Sequence, residues 1–323
     1  KLMTLEQFVN KIKSAVGAYF GDGLGITAQK IIKNNGVELT GLIFMEKESD
    51  IAATIYLDGY YEEYEGGTPL SEIVRRIIQA YEDHRPEGKL KLDFFRDYEQ
   101  VRARLACRLV NLEKNRALLE QVPHQIWLDL AVVPCCILMG DELGCACILI
   151  RYSHMRRWGI DEESLLEEAR INMQQILRPE CEPMKDFLFD MMRQAVEEQL
   201  PEAEPGMEAE QEYLLDRVAG ILAGRREAEG KEMFILSNTQ HFYGASVLLY
   251  PDVLSRLIGE AKGFFILPSS VHEVLLLADT GKESRRALYR MVNEVNERNV
   301  PPEEFLSDSV YYFDKKEGRI RIL

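Results

Sequence analysis

A chain of 323 residues, 46% hydrophobic and 29% charged, is long enough to bury two or three cores and has the composition of an ordinary globular protein. Its formal net charge of -15 argues against nucleic acid as a partner, because counterion release from phosphate needs clustered Lys and Arg, and the pairs Arg156-Arg157 and Arg225-Arg226 read as solvated helix faces. The longest apolar run, Ala131 to Met139, is too short to cross a bilayer and no secretory signal is evident, so no membrane partner and a cytoplasmic location are expected. Six cysteines, with Cys107 and Cys181 standing alone, suit a reducing compartment better than a disulfide framework.

In chain order, Thr4 to Phe20 predicts a helix, with Thr4 and Gln7 at capping-box spacing and Leu5, Phe8, Val9, Ile12, Val16 and Tyr19 on one stripe. Gly21, Gly23 and Gly25 lack the flanking strand and helix of a phosphate loop and read as a connection. Ile26 to Ile32 and Val37 to Met45 predict a hairpin around Asn34-Asn35-Gly36, since Asn-Gly supplies the positive φ angles of a tight turn. Thr54 to Leu57 reads as a third strand. Tyr56, Tyr60, Tyr61 and Tyr64 then cluster among glutamates, where they either line a ligand or partner surface or pack at a layer edge. Thr68-Pro69 opens a second helix with Leu70, Ile73, Val74, Ile77, Ile78 and Tyr81 inward. These elements form an N-terminal unit over 3–88.

The spacing of Phe94, Tyr98, Val101, Leu105, Leu109 and Leu112 predicts a long bridging helix from Asp93 to Leu119. Trp127 to Met139 and Cys145 to Tyr152 follow as an apolar hairpin. It holds four of the six cysteines: Cys145 and Cys147 on one face of their strand, Cys135 and Cys136 on opposite faces. CxC in a buried strand is poor metal-ligand spacing, so these thiols read as small apolar core residues. Asp161 caps a further helix, and another is expected from Met184 to Gln199. Together these make a central unit over 89–200. Glu197 to Glu212 carries seven glutamates, two prolines and no basic residue, which predicts a solvated linker at 201–212.

The C-terminal unit, 213–323, predicts a helix over 209–223, strands at Met233 to Ser237 and Ala245 to Tyr250, and a helix from Pro251 to Gly263. A further helix with Thr280 and Glu283 at capping-box spacing leads to a hairpin of Val310 to Phe313 with Arg319 to Leu323. Between them lies Phe264 to Leu277, FFILPSSVHEVLLL, where two apolar strands flank the densest polar cluster of the chain. Short turns join most strands, so the fold class expected is α+β, with mixed or antiparallel sheets of short hairpins covered by amphipathic helices.

Ser269, Ser270, His272 and Glu273 in that turn are the candidate catalytic residues. A serine would be the nucleophile, His272 its base, and Glu273 or Asp308 the acid. The alternative is local: serines after proline bond their own turn, and a lone histidine is commonly structural. Alternation along a strand also keeps His272 and Glu273 on opposite faces. Asn238, His241, Asp308, Tyr60 and Tyr61 are candidate binding residues.

NNGVELTGL at Asn34 to Leu42, YLDGYYEEYEGG at Tyr56 to Gly67, LPSSVHEVLLL at Leu267 to Leu277 and LSDSVYYFD at Leu306 to Asp314 together resemble a domain-of-unknown-function family of anaerobic Gram-positive bacteria, over essentially the whole chain. The resemblance implies a bacterial, cytoplasmic, non-membrane protein and carries no activity with it. The function expected first is a binding or interaction module for a protein or small molecule, without cofactor. A hydrolase or transferase built on Ser269 or Ser270 with His272 stands as the alternative, and a weak site of His241, His272 and Glu273 for zinc or iron stands third.

Overall fold

The computed structural model describes residues 2–47, 52–85, 92–140, 144–184, 233–257, 261–281 and 284–323, with isolated residues between 186 and 218. Its described elements are helices and three antiparallel sheets, an α+β fold.

Helix α1 (Leu5–Phe20) starts where its sequence says. Thr4 Oγ1 accepts from Gln7 N at 3.3 Å and Gln7 Oε1 accepts from Thr4 N at 3.1 Å, so two otherwise orphaned amides are satisfied. Phe8, Ile12 and Val16, four apart, form its buried stripe. It lies against a sheet of β1 (Leu24–Ile32), β2 (Glu38–Glu46) and β3 (Ala53–Tyr56). The β1–β2 turn has Asn35 at φ 61° and Gly36 at φ 70°, the left-handed geometry that the Asn-Gly pair accommodates. Tyr60, Tyr61 and Tyr64 sit on a short helix, α2 (Asp58–Glu65). Helix α3 (Leu70–His84) closes the unit with Ile73, Ile77 and Tyr81, Tyr81 stacking on Phe44 with ring centroids 4.3 Å apart. Helix α3 begins at Leu70 behind Pro69, with no side-chain cap from Thr68.

The expected bridging helix over 93–119 is absent. In its place stand a 3₁₀ turn at Asp93–Arg96, α4 (Tyr98–Arg102), strand β4 (Leu105–Asn111) and α5 (Arg116–Leu119). The helical spacing of Leu105, Leu109 and Leu112 misleads because every residue of β4 is buried: both faces of the strand are covered, so apolar side chains carry no period of two. Trp127 likewise belongs to a separate strand, β5 (Gln125–Trp127), and Leu128 at φ 56° turns the chain into β6 (Leu130–Gly140). β4 and β5 pair with β6, as does β7 (Gly144–Leu149). α6 (Tyr152–Trp158) and α7 (Glu162–Ile176) follow. Asp161 caps α7, accepting from Ser164 N at 2.9 Å, and Leu165, Ala169 and Met173 face inward.

A six-stranded sheet completes the fold, in the order β13-β12-β10-β11-β9-β8. Its members are β8 (Pro179–Pro183), β9 (Met233–Asn238), β10 (Gly263–Leu267), β11 (Val274–Ala278), β12 (Tyr311–Asp314) and β13 (Arg319–Ile322). The strand expected at Ala245 to Tyr250 is a 3₁₀ segment, Gly244–Leu249. Gly244 explains this, because a Cβ there would run into Ser237 Oγ and the carbonyl oxygen of His272, and the chain has to turn where it approaches that closely. Helix α8 (Val253–Leu257) is short, and α9 (Arg285–Asn299) starts behind Ser284 rather than at a Thr280 cap. The helices expected over 184–199 and 209–223 and the acidic linker fall largely outside the described residues.

One core spans the middle and end of the chain, joining Val101, Leu105, Cys107 and Leu165 to Leu236, Val247, Ile266, Leu276 and Tyr311. The N-terminal unit has its own core around Phe8, Phe44 and Ile77, and it docks through the β1–β2 turn. Asn35 Nδ2 donates to Pro302 O at 2.8 Å and Phe305 O at 2.7 Å, its amide donates to Asn115 Oδ1 at 2.9 Å, and Asn34 Nδ2 donates to Glu303 O at 2.9 Å. The tight turn is thus also a plug.

Candidate functional site

The residues singled out at Ser269 to Glu273 occupy the turn between β10 and β11, next to the loop that follows β9. Ser270 makes an isolated antiparallel bridge to Phe305, Val271 N donates to Glu304 O at 2.8 Å, and Leu306 N donates to Ser269 O at 3.0 Å, so the turn is stitched to 304–306. Ser270 Oγ accepts the backbone amide of His272 at 3.0 Å and also bonds the Glu273 carboxyl, which are local turn bonds. Ser269 Oγ is buried and has no hydrogen-bond partner among the described residues.

His272 is half-buried. Its Nδ1 accepts from the amide of Tyr243 at 3.3 Å, which puts the proton of the neutral ring on Nε2, and Nε2 faces Glu304 Oε1 at 3.9 Å. Both ring nitrogens therefore face groups other than the two serine hydroxyls. Burial raises the Glu273 carboxyl above its ordinary range, opposed by His272 and by the Ser270 hydrogen bond.

Asn238 is fully buried and shapes the neighbouring loop. Its Oδ1 accepts from Gln240 N at 3.1 Å and Phe242 N at 3.3 Å, and its Nδ2 donates to Phe242 O at 2.9 Å. The loop so formed holds two non-glycine residues in the left-handed region, His241 at φ 47° and Tyr243 at φ 48°, a strained pair of the kind that a well-anchored loop sustains. His241 points away to Glu180, 3.6 Å from its Nε2. Asp308 is exposed and accepts from Asn296 Nδ2 at 2.7 Å. Tyr60 and Tyr61 lie in the other unit: Tyr61 packs on Phe8 and donates to Met3 O at 2.9 Å, and Tyr60 lies under the Arg76 guanidinium. Among the described residues no group of three or more His, Cys, Asp and Glu could hold a metal ion.

What the turn does reach is Arg108. The Tyr243 ring stacks on His272 with centroids 5.5 Å apart, and its hydroxyl accepts from Arg108 Nη1 at 2.7 Å while the guanidinium lies 4.8 Å from the ring centroid. Arg108 is only 6% exposed, in the middle of a strand whose every residue is buried. Strand register brings two cysteines to the same place. Arg108 is opposite Val133 and Cys147 opposite Ile137, and Val133, Cys135 and Ile137 alternate along one face of β6, so Arg108, Cys135 and Cys147 share a face across three strands. The neighbouring Cys135 thiol and the Arg108 charge lower the Cys147 thiol against the opposing effect of burial, while Cys135 is raised. Cys107, on the other face, is raised to about 12 by burial and Cys136 likewise.

The cluster thus gathers Cys135, Cys147 and Arg108 on one sheet face and runs on from Arg108 through Tyr243 to His272. It comes to the surface at Cys147, Tyr243 and His272, which are half-buried. No carboxylate lies within ion-pair distance of Arg108 among the described residues, and its Nε has no hydrogen-bond partner. The spacing that suggests one helix over 93–119 hides this residue, because a long cation flanking a helical stripe reads as a boundary residue, whereas in a strand covered on both faces it is a buried charge. A lone charge amid LACRLVN was the available signal.

No described helix is long and apolar enough to cross a membrane. No curated protein and no solved structure matches the chain. A family model does match, over residues 5–315, and it covers all of the cluster just described. The chain therefore belongs to DUF5688, a family of unknown function.

Proposed function

We propose that this protein is a binding module for a small anionic molecule, a carboxylate or a phosphate, with Arg108 as the residue that receives the charge. The observation that carries the reading is a buried guanidinium with no carboxylate beside it and one donor left over. Removing a cation from water costs several kcal/mol unless an opposite charge accompanies it. Here the ionisable groups next to Arg108 are weak acids: the Cys135 thiol and the Tyr243 phenol, both raised with burial, and the Cys147 thiol, which its neighbours lower. An anion would gain the pairing that these groups supply only in part. A planar guanidinium with a free N–H offers it a forked donor set. The strained Tyr243 and the stacked His272 position the hydroxyl and close the site on one side.

The hydrolase alternative draws less support, since the contacts of His272 tie it to Tyr243 and Glu304. A bacterial cytoplasm remains the setting we infer, from the motif resemblance and the unpaired cysteines. Calorimetric titration of inorganic phosphate and of acetate tests the reading. Saturable binding of one of them that weakens about tenfold or more in Arg108→Met supports it. Equal binding by wild type and variant, or none by either, contradicts it.

A further inference from the structure

Strand β1 is the outer member of the N-terminal sheet and runs for nine residues, long for an exposed edge. Its register fixes which backbone groups meet β2. Lys33 N donates to Val37 O at 2.7 Å, and the same spacing pairs Ile31 with Leu39 and Gln29 with Gly41, so the odd-numbered residues bond to β2. Thr40, opposite Lys30, instead accepts from Leu57 N at 2.8 Å on its far side. The amides and carbonyls of Ile26, Ala28 and Lys30 therefore face outward, and among the described residues nothing pairs with them. Neither proline nor bulge blunts this edge, and its one charge, Lys30, is held by Glu38.

Opposite ends of the edge carry complementary features. Beside Leu24 and Ile26 a cavity of about 470 Å³ opens against α1 at Ser14 and Gly17, and a Cβ on Gly17 would meet nothing within 4 Å. At the other end Ile32 is 72% exposed, and by alternation it shares the sheet face of Leu24, Ile26 and Ala28. We propose that β1 pairs with β1 of a second copy of this chain, antiparallel and centred on Ala28. That register sets Ile32 of each copy opposite Leu24 of the other, on the face where the cavity lies, so each exposed isoleucine enters its partner's opening. The contact is isologous and closes after two chains. Charge permits it despite a net charge of -15, because the cavity carries Lys13 and Asp22 while the incoming end carries Lys30 and Glu38, so each side is locally balanced. A foreign strand would satisfy the same amides; the second copy is favoured because it also supplies the apolar side chain that the cavity takes. The edge shares no residue with the Arg108 cluster, so this pairing and the anion reading fail separately.

Sedimentation velocity of the native chain over a wide concentration range tests the proposal, and a monomer–dimer equilibrium is expected. Ala28→Pro removes an outward donor and no β1–β2 bond, and Gly17→Leu fills the cavity from a helix position that has room. Each should weaken dimerisation about tenfold or more while circular dichroism shows the chain still folded. Ile126→Lys, at an exposed isoleucine of β5, should leave dimerisation unchanged. Amide exchange of the wild type needs no variant: Ile26, Ala28 and Lys30 should be slow in the dimer and fast on dilution, with Thr27 and Gln29 protected in both. A native chain that stays monomeric throughout overturns the proposal. So does a dimer that Ala28→Pro and Gly17→Leu leave unchanged, or exchange at Ile26, Ala28 and Lys30 that does not respond to concentration.

Discussion

The N-terminal core and the inner face of β4 are both buried, but they are built by opposite rules. Around Phe8, Ile12, Phe44, Ile73 and Ile77 every element agrees with its neighbours: cap, stripe, turn and sheet point to one apolar interior. Around Arg108 the strand buries a cation, the thiols of Cys135 and Cys147 share its sheet face, and the neighbouring loop keeps two residues at positive φ. Local consistency is what stability selects, and a buried departure from it, held by the surrounding structure, is where function is to be sought. The first region should matter for folding and hardly for binding, the second the reverse.

Several variants sharpen that contrast. The largest loss of stability is expected for Phe8→Ala, about 3–5 kcal/mol in urea unfolding, because it empties a packed site; its effect on anion binding to the folded protein should be negligible. Next is Asn35→Ala, about 2 kcal/mol, since that side chain supports both the left-handed turn and the two hydrogen bonds to Pro302 and Phe305. Faster proteolytic cleavage of the 302–305 segment would report the loss. Arg108→Met should change stability by about 1 kcal/mol or less, in either direction, because an apolar side chain of similar length removes the desolvation cost together with the contact. A loss as large as that of Phe8→Ala would make Arg108 an architectural residue. Smallest is Lys30→Ala. Its partner Glu38 is 3.0 Å away, but both side chains are more than half exposed, so the change should stay within about 0.5 kcal/mol.

Acidity gives a separate check at the turn. Burial raises Glu273, so the unfolded chain releases that proton at lower pH than the folded one. The stability tied to this group is present below the ordinary carboxylate range and is lost as pH rises through its raised folded value. Glu273→Gln should flatten that part of the stability curve, measured by urea unfolding between pH 4 and 7. An identical slope in the variant would remove Glu273 as the source.

Much of the fold was legible where one face of an element meets water. The stripe of α1, the Asn-Gly hairpin and the Asp161 cap carry a period or a turn signal that solvent contrast imposes, and the β10–β11 pair, although β10 is buried throughout, is marked by the Pro268-Ser269-Ser270 turn between two short apolar runs. β4 was not, because burial on both faces erases that contrast and leaves leucines at spacings that also fit a helix. The 3₁₀ segment at Gly244 was hidden for a different reason: the close approach of Ser237 and His272 that requires glycine is a tertiary fact. The polar cluster at Ser269 to Glu273 was found by composition, and it does lie beside the cluster proposed here. The contact of Tyr243 with Arg108 joins residues more than a hundred positions apart, which no local pattern records.

The central claim is that Arg108 is buried for an anion. It is tested most directly by the side-chain Nε–H resonance of Arg108, assigned by its loss in Arg108→Met, followed while phosphate, acetate and a dicarboxylate are titrated in at constant ionic strength. A saturable shift with one of these anions, in step with the calorimetric curve, is the expected result. A resonance that stays in place with all three would contradict the account.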